Sequence, residues 1–337
     1  ASVQPVSDIL FETAGRAGII ALNRPNALNA LNEAMVHEMA AALEEWERDD
    51  RITRVAIRAE GKAFSAGGDL RAIFEQRAGS IDFFASEYQN NTRIKCFPKP
   101  YVALIDGICM GGGVGLSMHG NYRVATEKLV FAMPEVGIGL FPDVGASYIL
   151  SRLPGEAGLY LALTGARLGR DEAAALGLVT HPVDGDRLGD ALDRAVHARH
   201  LEGSLDELRT ETEPRDAADA AMIDRAFAGD SAAEIVERLG EEEGETALKA
   251  AEAIARMSPT SLMVTFEEVR RAAERSFLEC MAMECRIVNE VLDGHDLYEG
   301  IRAVVIDKDR TPRWSTERIE DLPRGEVEAM LRPLGED

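Results

Sequence analysis

Two hydrophobic patterns follow one another near the start of the chain. Residues 8–22 alternate apolar and polar positions around Gly15, which predicts a β-hairpin. From Asn32 to about Glu47, apolar residues recur every three or four positions behind a residue type that favours helix N-caps, which predicts an amphipathic helix. The chain therefore opens with strands and continues with a helix.

The same alternation of elements continues to about Val183. Residues 54–59 and 101–105 are apolar runs that predict strands, and each leads through a glycine-containing loop into a helical pattern. This recurrence predicts an α/β fold. The following residues are rich in Ala, Asp, Glu and Arg with helical periodicity. We therefore predict a core at residues 1–185 and a mostly helical region at residues 186–337.

Composition and charge exclude several classes of protein. The 337 residues are 46% hydrophobic and 28% charged, so the chain can bury a large core and is not globally disordered. A net charge of −22 repels phosphates and anionic lipid, which argues against nucleic acid or a membrane as partner. No stretch approaches the roughly 20 apolar residues of a membrane span.

The cysteines and the first residues bear on location. Residues 1–4 lack the basic and apolar regions of a secretory signal and the Arg and Ser bias of a transit peptide. The four cysteines lack C-x-x-C spacing, which favours free thiols in a reducing compartment over disulfides or a metal site. We therefore expect a cytoplasmic protein without a bound metal.

Two glycine loops follow predicted strands. Residues 111–113 are all glycine, but the dinucleotide pattern G-x-G-x-x-G fails because Leu116 or Met118 occupies its third glycine position. Residues 66–69 form the second loop. Such glycines either allow tight packing or leave backbone N–H groups free for a ligand. Two loops of this kind can each supply one N–H to a carbonyl oxygen, which would form an oxyanion hole.

Three carboxylates lie in otherwise apolar sequence. Glu135 precedes a run of apolar residues and glycines, Asp143 follows eight residues later, and Glu87 lies among aromatic residues at helical spacing. A Glu in an apolar pocket has a raised pKa, which suits general acid–base catalysis. Ordinary roles stay open: Asp143 can cap a helix that begins near Val144, and Glu135 can be ion-paired.

Taken together, these features resemble the enoyl-CoA hydratase/isomerase (crotonase) superfamily. The likeness rests on residues 21–29, 64–70, 99–103, 111–113 and 164–165. Within the superfamily the chain is similar to the 3-hydroxyisobutyryl-CoA hydrolase branch, on residues 83–88, 110–116, 131–135, 139–145, 294–296 and 299–309. The likeness covers nearly the whole chain.

The resemblance implies a spiral core of ββα turns, with C-terminal helices that close over the site and often mediate homo-oligomers. It implies that the N–H groups of Gly68 and Gly112 form the oxyanion hole for a thioester carbonyl. Glu135 matches the catalytic glutamate of the crotonase core, Asp143 matches the aspartate of the hydrolase branch, and Glu87 matches a substrate-contacting glutamate of that branch. The substrate is then 3-hydroxyisobutyryl-CoA or a close 3-hydroxyacyl-CoA, and no separate cofactor is expected because coenzyme A is part of the substrate.

Coenzyme A is polyanionic, so a chain of this charge needs local basic residues to bind it. Arg24 and Lys62 are candidates, because they flank loops that resemble coenzyme A contacts.

One departure from the family pattern separates its branches. Hydratases of the superfamily have a second glutamate just after the glycine triplet, where this chain has Gly115. We therefore favour thioester hydrolysis, in valine breakdown, over hydration or isomerisation on the same fold. A non-catalytic interaction protein is a further alternative.

Overall fold

A computed structural model describes residues 6–332 of the chain. These residues form two compact units, each discontinuous in sequence. Unit 1 comprises residues 6–68, Gln89–Phe131 and Leu168–Pro214, and unit 2 comprises Asp69–Tyr88, Ala132–Arg167 and residues 215–332.

The strands form two sheets. The strands of the described chain are β1 (Ile9–Ala14), β2 (Ala17–Leu22), β3 (Arg54–Ala59), β4 (Ala63–Ser65), β5 (Tyr101–Ile105), β6 (Ile108–Met110), β7 (Tyr122–Ala125), β8 (Val130–Ala132) and β9 (His181–Pro182). The larger sheet has the order β1-β2-β3-β5-β7-β9 and the smaller one the order β4-β6-β8. Three successive strand pairs therefore each give one strand to each sheet, which is the arrangement of a spiral of repeated turns.

The larger sheet explains the hydrophobic pattern of its strands. β1 and β2 are antiparallel, which confirms the predicted hairpin, and the remaining pairs are parallel. β2 and β5 are buried along their whole length, as expected for strands covered on both faces. Helices from unit 1 pack on β3 and β5 through Val102, Leu104, Ala191 and Ala195.

Helices make up most of the remaining chain. They are α1 (Glu33–Arg48), α2 (Leu70–Gln76), α3 (Ile81–Lys95), α4 (Gly112–Ser117), α5 (Ala146–Leu150), α6 (Ala157–Thr164), α7 (Arg170–Ala175), α8 (Leu188–His197), α9 (Leu201–Asp206), α10 (Ala217–Ala226), α11 (Ala232–Glu241), α12 (Glu245–Arg256), α13 (Pro259–Ala272), α14 (Phe277–Asp293), α15 (Asp296–Ile301) and α16 (Arg324–Leu331). The Asn32 side chain caps α1 by accepting the Met35 N–H at 2.9 Å, as predicted. None of the helices in the described chain is long and apolar enough to cross a membrane.

Unit 2 is built around α13, which is buried along much of its length and packs against α5, α6 and α14. α15 packs against the short 3₁₀ turn Glu135–Ile138. Beyond residue 185, the described chain contains helical elements and loops, in keeping with the predicted helical region. The compact units do not follow the boundary at 185, and the division into residues 1–185 and 186–337 stays a prediction about domains.

Candidate active site

The two glycine loops lie side by side in unit 1. β4 and β6 are parallel neighbours, so the loops that follow them leave the same edge of the smaller sheet. A Cβ atom at Gly67 would lie 3.3 Å from the Gly112 nitrogen, and one at Gly113 would lie 2.5 Å from the Ser65 carbonyl oxygen. Glycine is therefore required at Gly113 for the close approach, and at Gly67 also for its φ of +109°.

The amides of Gly68 and Gly112 donate no backbone hydrogen bond within the described residues. Gly112 is the first residue of α4, so its N–H has no acceptor within the helix. Between residues 6 and 332, the Gly68 N–H donates no backbone hydrogen bond, although its loop is fixed by the Leu31 N–H, which donates to the Gly67 carbonyl at 2.8 Å. The sequence predicted that these loops carry paired N–H donors, and the structure brings the loops together.

The helix after the glycine triplet carries no carboxylate. α4 has the sequence Gly-Gly-Val-Gly-Leu-Ser and is buried throughout. Gly115 therefore places no acid or base at the position to which the family resemblance assigns the second glutamate of a hydratase.

Five buried carboxylates gather in unit 2, and we call them the acid cluster. They come from α3, the 3₁₀ turn, the loop before α5, α13 and α14, and they are Glu87, Glu135, Asp143, Glu268 and Glu284. All are at most 6% exposed. Charges are rarely buried without a partner of opposite sign, so this gathering indicates that several of the five hold protons.

Asp143 is the member best prepared to ionise. The Tyr88 hydroxyl donates a hydrogen bond of 2.7 Å to its Oδ2. Burial raises the pKa of Asp143 to about 7, against the lowering effect of that hydrogen bond. Burial and the nearby Asp143 raise the pKa of the Tyr88 phenol, which therefore remains a donor.

Burial also favours the protonated forms of Glu135 and Glu87. Burial and then the nearby Asp143 raise the pKa of both carboxyls well above the ordinary value, and Glu135 adds to the effect on Glu87. Within the described residues, Oε2 of each has no hydrogen-bond partner. Two buried oxygens that lack a protein partner beside an ionisable Asp are suited to bind water or a substrate hydroxyl.

The ordinary roles considered for these acids are not observed. The N-cap of α5 is Gly145, and the Asp143 side chain accepts from the Tyr88 hydroxyl. No ion pair reaches Glu135 or Asp143 from any residue between 6 and 332. Both side chains therefore remain available for chemistry.

Glu268 and Glu284 were not predicted from the sequence. Burial and the neighbouring Glu284 and Asp143 raise the pKa of Glu268 well above normal, and neither of its oxygens has a partner in the described chain. Burial raises the pKa of Glu284 to about 8. The sequence did contain a signal for Glu284. It lies at helical spacing with the apolar residues Cys280 and Ile287, so it would be predicted on the buried face of α14.

Of the two candidate phosphate-binding residues, Arg24 is already engaged. Its Nη1 donates to the Ala30 carbonyl at 3.1 Å, and its Nε lies 3.9 Å from Asp8. Lys62 is exposed. No three His, Cys, Asp or Glu side chains in residues 6–332 are arranged to hold a metal ion. Function without metal or cofactor stays a prediction.

Known proteins resemble the chain over nearly its whole length. The family model for enoyl-CoA hydratase/isomerase matches residues 17–331. The mitochondrial 3-hydroxyisobutyryl-CoA hydrolase of Danio rerio is 44% identical, over 98% of this chain and 91% of the relative. The enzyme of the same name from Homo sapiens is 41% identical, over 97% of this chain and 89% of the relative.

Solved structures show the same fold. An enoyl-CoA hydratase from Rhodobacter sphaeroides superposes with a TM-score of 0.90 at 40% identity, and a carnitinyl-CoA dehydratase from Mycobacterium thermoresistibile with 0.93 at 39%. In both comparisons 98% of each chain is covered. The predicted α/β fold with its spiral core is confirmed.

The location predicted from the sequence is contradicted by these relatives. The hydrolases of Danio rerio, Xenopus laevis and Homo sapiens are mitochondrial by name, so the expectation of a cytoplasmic protein is corrected. All four cysteines are free thiols, as expected, but free thiols suit any reducing compartment. A presequence removed on import leaves no trace in a mature chain, so the first residues do not decide location.

Proposed function

The chain belongs to the enoyl-CoA hydratase/isomerase family, and on this premise we propose that it hydrolyses the thioester of 3-hydroxyisobutyryl-CoA, or of a close 3-hydroxyacyl-CoA. The products are the free 3-hydroxy acid and coenzyme A. The observation that carries the proposal is the pair Glu135 and Asp143, buried together in the acid cluster, with glycine at position 115. The hydrolases of this name are 40–44% identical to the chain.

The reaction needs a stabilised oxyanion and a base. We propose that the Gly68 and Gly112 N–H groups donate to the thioester oxygen as negative charge develops on it. Such a donor is typically worth about 3 kcal/mol in the transition state. The donors are backbone groups in closely packed loops, so we expect little reorganisation when the charge appears.

Two routes are open to Glu135. Its carboxylate can attack the carbonyl carbon, so that the C–S bond breaks and a mixed anhydride forms, which water then opens. Alternatively, Glu135 can take a proton from water, whose oxygen attacks the same carbon. In either route the ionised Asp143 accepts the proton that Glu135 must release, and a proton finally accompanies the departing thiolate.

Glu87 is proposed to bind the substrate. Its buried Oε2, which has no partner in the described residues, can accept a hydrogen bond from the 3-hydroxyl group. An unhydroxylated acyl group would leave that oxygen unsatisfied, so the carboxyl discriminates against it. We place the reaction in valine breakdown, where a 3-hydroxyisobutyryl thioester must be cleaved.

Thiol release across a panel of acyl-CoAs tests the proposal. We expect the highest kcat/KM with 3-hydroxyisobutyryl-CoA, and we expect Glu135→Gln and Asp143→Asn to bind this thioester without releasing thiol. Near-wild-type turnover by both variants would overturn the assignment. Hydroxylamine distinguishes the routes, because it traps an anhydride as a hydroxamate and does not trap directly activated water.

A hydratase is the second candidate, because the two solved relatives with the same fold are named as a hydratase and a dehydratase. It predicts loss of the crotonyl-CoA absorbance without free thiol. The buried Gly115 argues against it, since the usual second carboxylate is missing.

We also propose that the chain forms a homo-oligomer, which rests on the family resemblance of its helical C-terminal region. Light scattering in solution tests this, and a monomer at micromolar concentration would contradict it.

A further inference from the structure

The turn that carries Asp143 has a costly backbone conformation. Val144 has a φ of +55° and Gly145 a φ of +81°, so two consecutive residues are left-handed. Val144 is fully buried and β-branched, and such a residue adopts a positive φ only where its surroundings impose it. Some contact must therefore hold this turn.

The Ala146 N–H closes the turn locally by donating to the Asp143 carbonyl at 2.9 Å, and two further contacts come from a distant part of unit 2. Glu284, on α14, accepts the Gly145 N–H at 2.9 Å and lies 2.5 Å from the Ser147 hydroxyl, which donates to its other oxygen. Gly145 is the N-cap of α5 and has no side chain to cap the helix itself. The Glu284 carboxyl thus caps the N-terminus of α5, and its two oxygens hold Gly145 and Ser147, which follow Asp143 closely in the chain.

We propose that Glu284 is a positioning residue for thioester hydrolysis, which holds the strained turn so that Asp143 stays aimed at the reacting groups. The inference rests on the proposed function. Two independent observations support it: the backbone strain at Val144 and the two hydrogen bonds that Glu284 of α14 accepts.

The neutral form of Glu284 can make both contacts. Its carbonyl oxygen accepts the Gly145 N–H. The Ser147 hydroxyl, which donates to the ionised carboxylate, can rotate to accept a hydrogen bond from the protonated oxygen. Burial raises the pKa of Glu284 to about 8, in agreement with a proton held at neutral pH. A glutamine is then a close replacement, since its amide offers one acceptor and one donor with nearly the same shape.

The chain offers a matched control in another helix cap. Asp224, on α10, accepts the backbone N–H of Glu156 at 2.9 Å, and Glu156 is the N-cap of α6. This is also a carboxylate that caps a helix from a different element of unit 2. No proposed catalytic residue lies in the turn before α6.

The experiment compares the full-length variants Glu284→Ala, Glu284→Gln, Ser147→Ala and Asp224→Ala. We expect Glu284→Ala to lower kcat for thiol release from 3-hydroxyisobutyryl-CoA about 100-fold with KM little changed, because a misplacement of about 1 Å costs that much. Glu284→Gln should restore kcat to within about threefold of wild type, and Ser147→Ala should lose about threefold to tenfold, as for one neutral hydrogen bond. Asp224→Ala should lose stability and keep kcat.

Amide hydrogen exchange at Gly145 provides a readout that does not depend on activity. We expect it to accelerate in Glu284→Ala and Ser147→Ala and to stay protected in Glu284→Gln. Wild-type kcat in folded Glu284→Ala, or equal kcat losses in Glu284→Ala and Asp224→Ala, overturns the inference. If Glu284→Ala does not fold, an inactive but folded Glu284→Gln, or unchanged kcat and exchange in Ser147→Ala, overturns it.

Failure of the proposed function gives a different pattern. Wild-type protein would then release no thiol from the panel. Gly145 exchange would still report whether Glu284 holds the turn: unchanged exchange in Glu284→Ala and Ser147→Ala would overturn the structural part, and faster exchange would support it.

Discussion

The glycine loops of unit 1, proposed as an oxyanion hole, and the acid cluster of unit 2, proposed to supply the base, are built in two different ways. The loops use backbone N–H groups, which every residue except proline has, and need only small residues in a local turn. The acid cluster uses side chains from five separate elements, and the charge of Asp143 raises the pKa of the other four. The first is therefore specified within a few residues of sequence, and the second depends on tertiary packing.

This difference also predicts how activity responds to a substitution in each region. Removing one N–H leaves the rest of a rigid loop in place, so the loss is limited to one hydrogen bond. Removing one acid changes the protonation of its neighbours, so effects within the acid cluster are not additive.

The largest effect is expected when Glu135 and Asp143 are changed singly and together. Each of Glu135→Gln and Asp143→Asn should lower kcat about 10²- to 10⁴-fold, the usual contribution of a general acid or base. The double variant should lose no more than the worse single variant, because the two act as a unit. Thiol-release kinetics measure this cycle; multiplied losses in the double variant would show independent residues.

The glycine loop should respond to loss of one amide donor. Gly112→Pro removes the N–H at the first position of α4, where proline is well tolerated, and should lower kcat about 10²- to 10³-fold. Gly112→Ala keeps the N–H and is the control, so it should lose less. If both variants have the same kcat, the Gly112 amide does not bind the oxyanion.

Tyr88→Phe should change the pH dependence. The Tyr88 hydroxyl stabilises the ionised form of Asp143 in the wild type. Without that hydrogen bond, the pKa of Asp143 rises from about 7. A bond to a charged group is worth about 1.5–3 kcal/mol, which moves the acidic limb of kcat/KM upward by about 1–2 pH units. Activity at pH 6 should fall about tenfold to 100-fold and recover near pH 9. A uniform loss at every pH would assign Tyr88 to packing alone.

The smallest effect concerns stability. The pKa of Glu284 is about 8 in the folded protein and near its ordinary value of 4.5 when unfolded. Between these values the folded state holds a proton that the unfolded state has released, so this group makes stability fall as pH rises. Glu284→Gln should therefore reduce the slope of the unfolding free energy between pH 5 and 8, by up to about 1.4 kcal/mol per pH unit. Urea denaturation at several pH values measures it, and an unchanged slope would mean that Glu284 does not keep its proton.

The features that could be predicted from the sequence are the local ones, and the features that were missed depend on tertiary packing. The hairpin, the helix after Asn32 and both glycine loops were predicted, because alternation, caps and glycine runs are local signals. Glu135 and Asp143 were singled out because they interrupt apolar sequence. Glu284 was missed although it interrupts the apolar face of α14, since its contacts to Gly145 and Ser147 span 139 and 137 residues.

Tyr88 is a second residue whose long-range contact could not be predicted from the sequence. At helical spacing with Phe84 it predicts a core residue, and its ring does pack against Phe84 with centroids 6.1 Å apart. Its hydroxyl nevertheless donates to Asp143, 55 residues away. The ring of a tyrosine can pack in the core while its hydroxyl hydrogen-bonds in a site. Hydrophobic periodicity predicts only the packing of the ring.

One measurement tests the central claim most directly: free thiol and crotonyl-CoA absorbance followed in parallel, with wild-type protein and Asp143→Asn. We predict rapid thiol release from 3-hydroxyisobutyryl-CoA by the wild type, loss of that release in Asp143→Asn, and negligible hydration of crotonyl-CoA by either. Hydration of crotonyl-CoA without thiol release, retained in Asp143→Asn, would contradict thioester hydrolysis by the acid cluster.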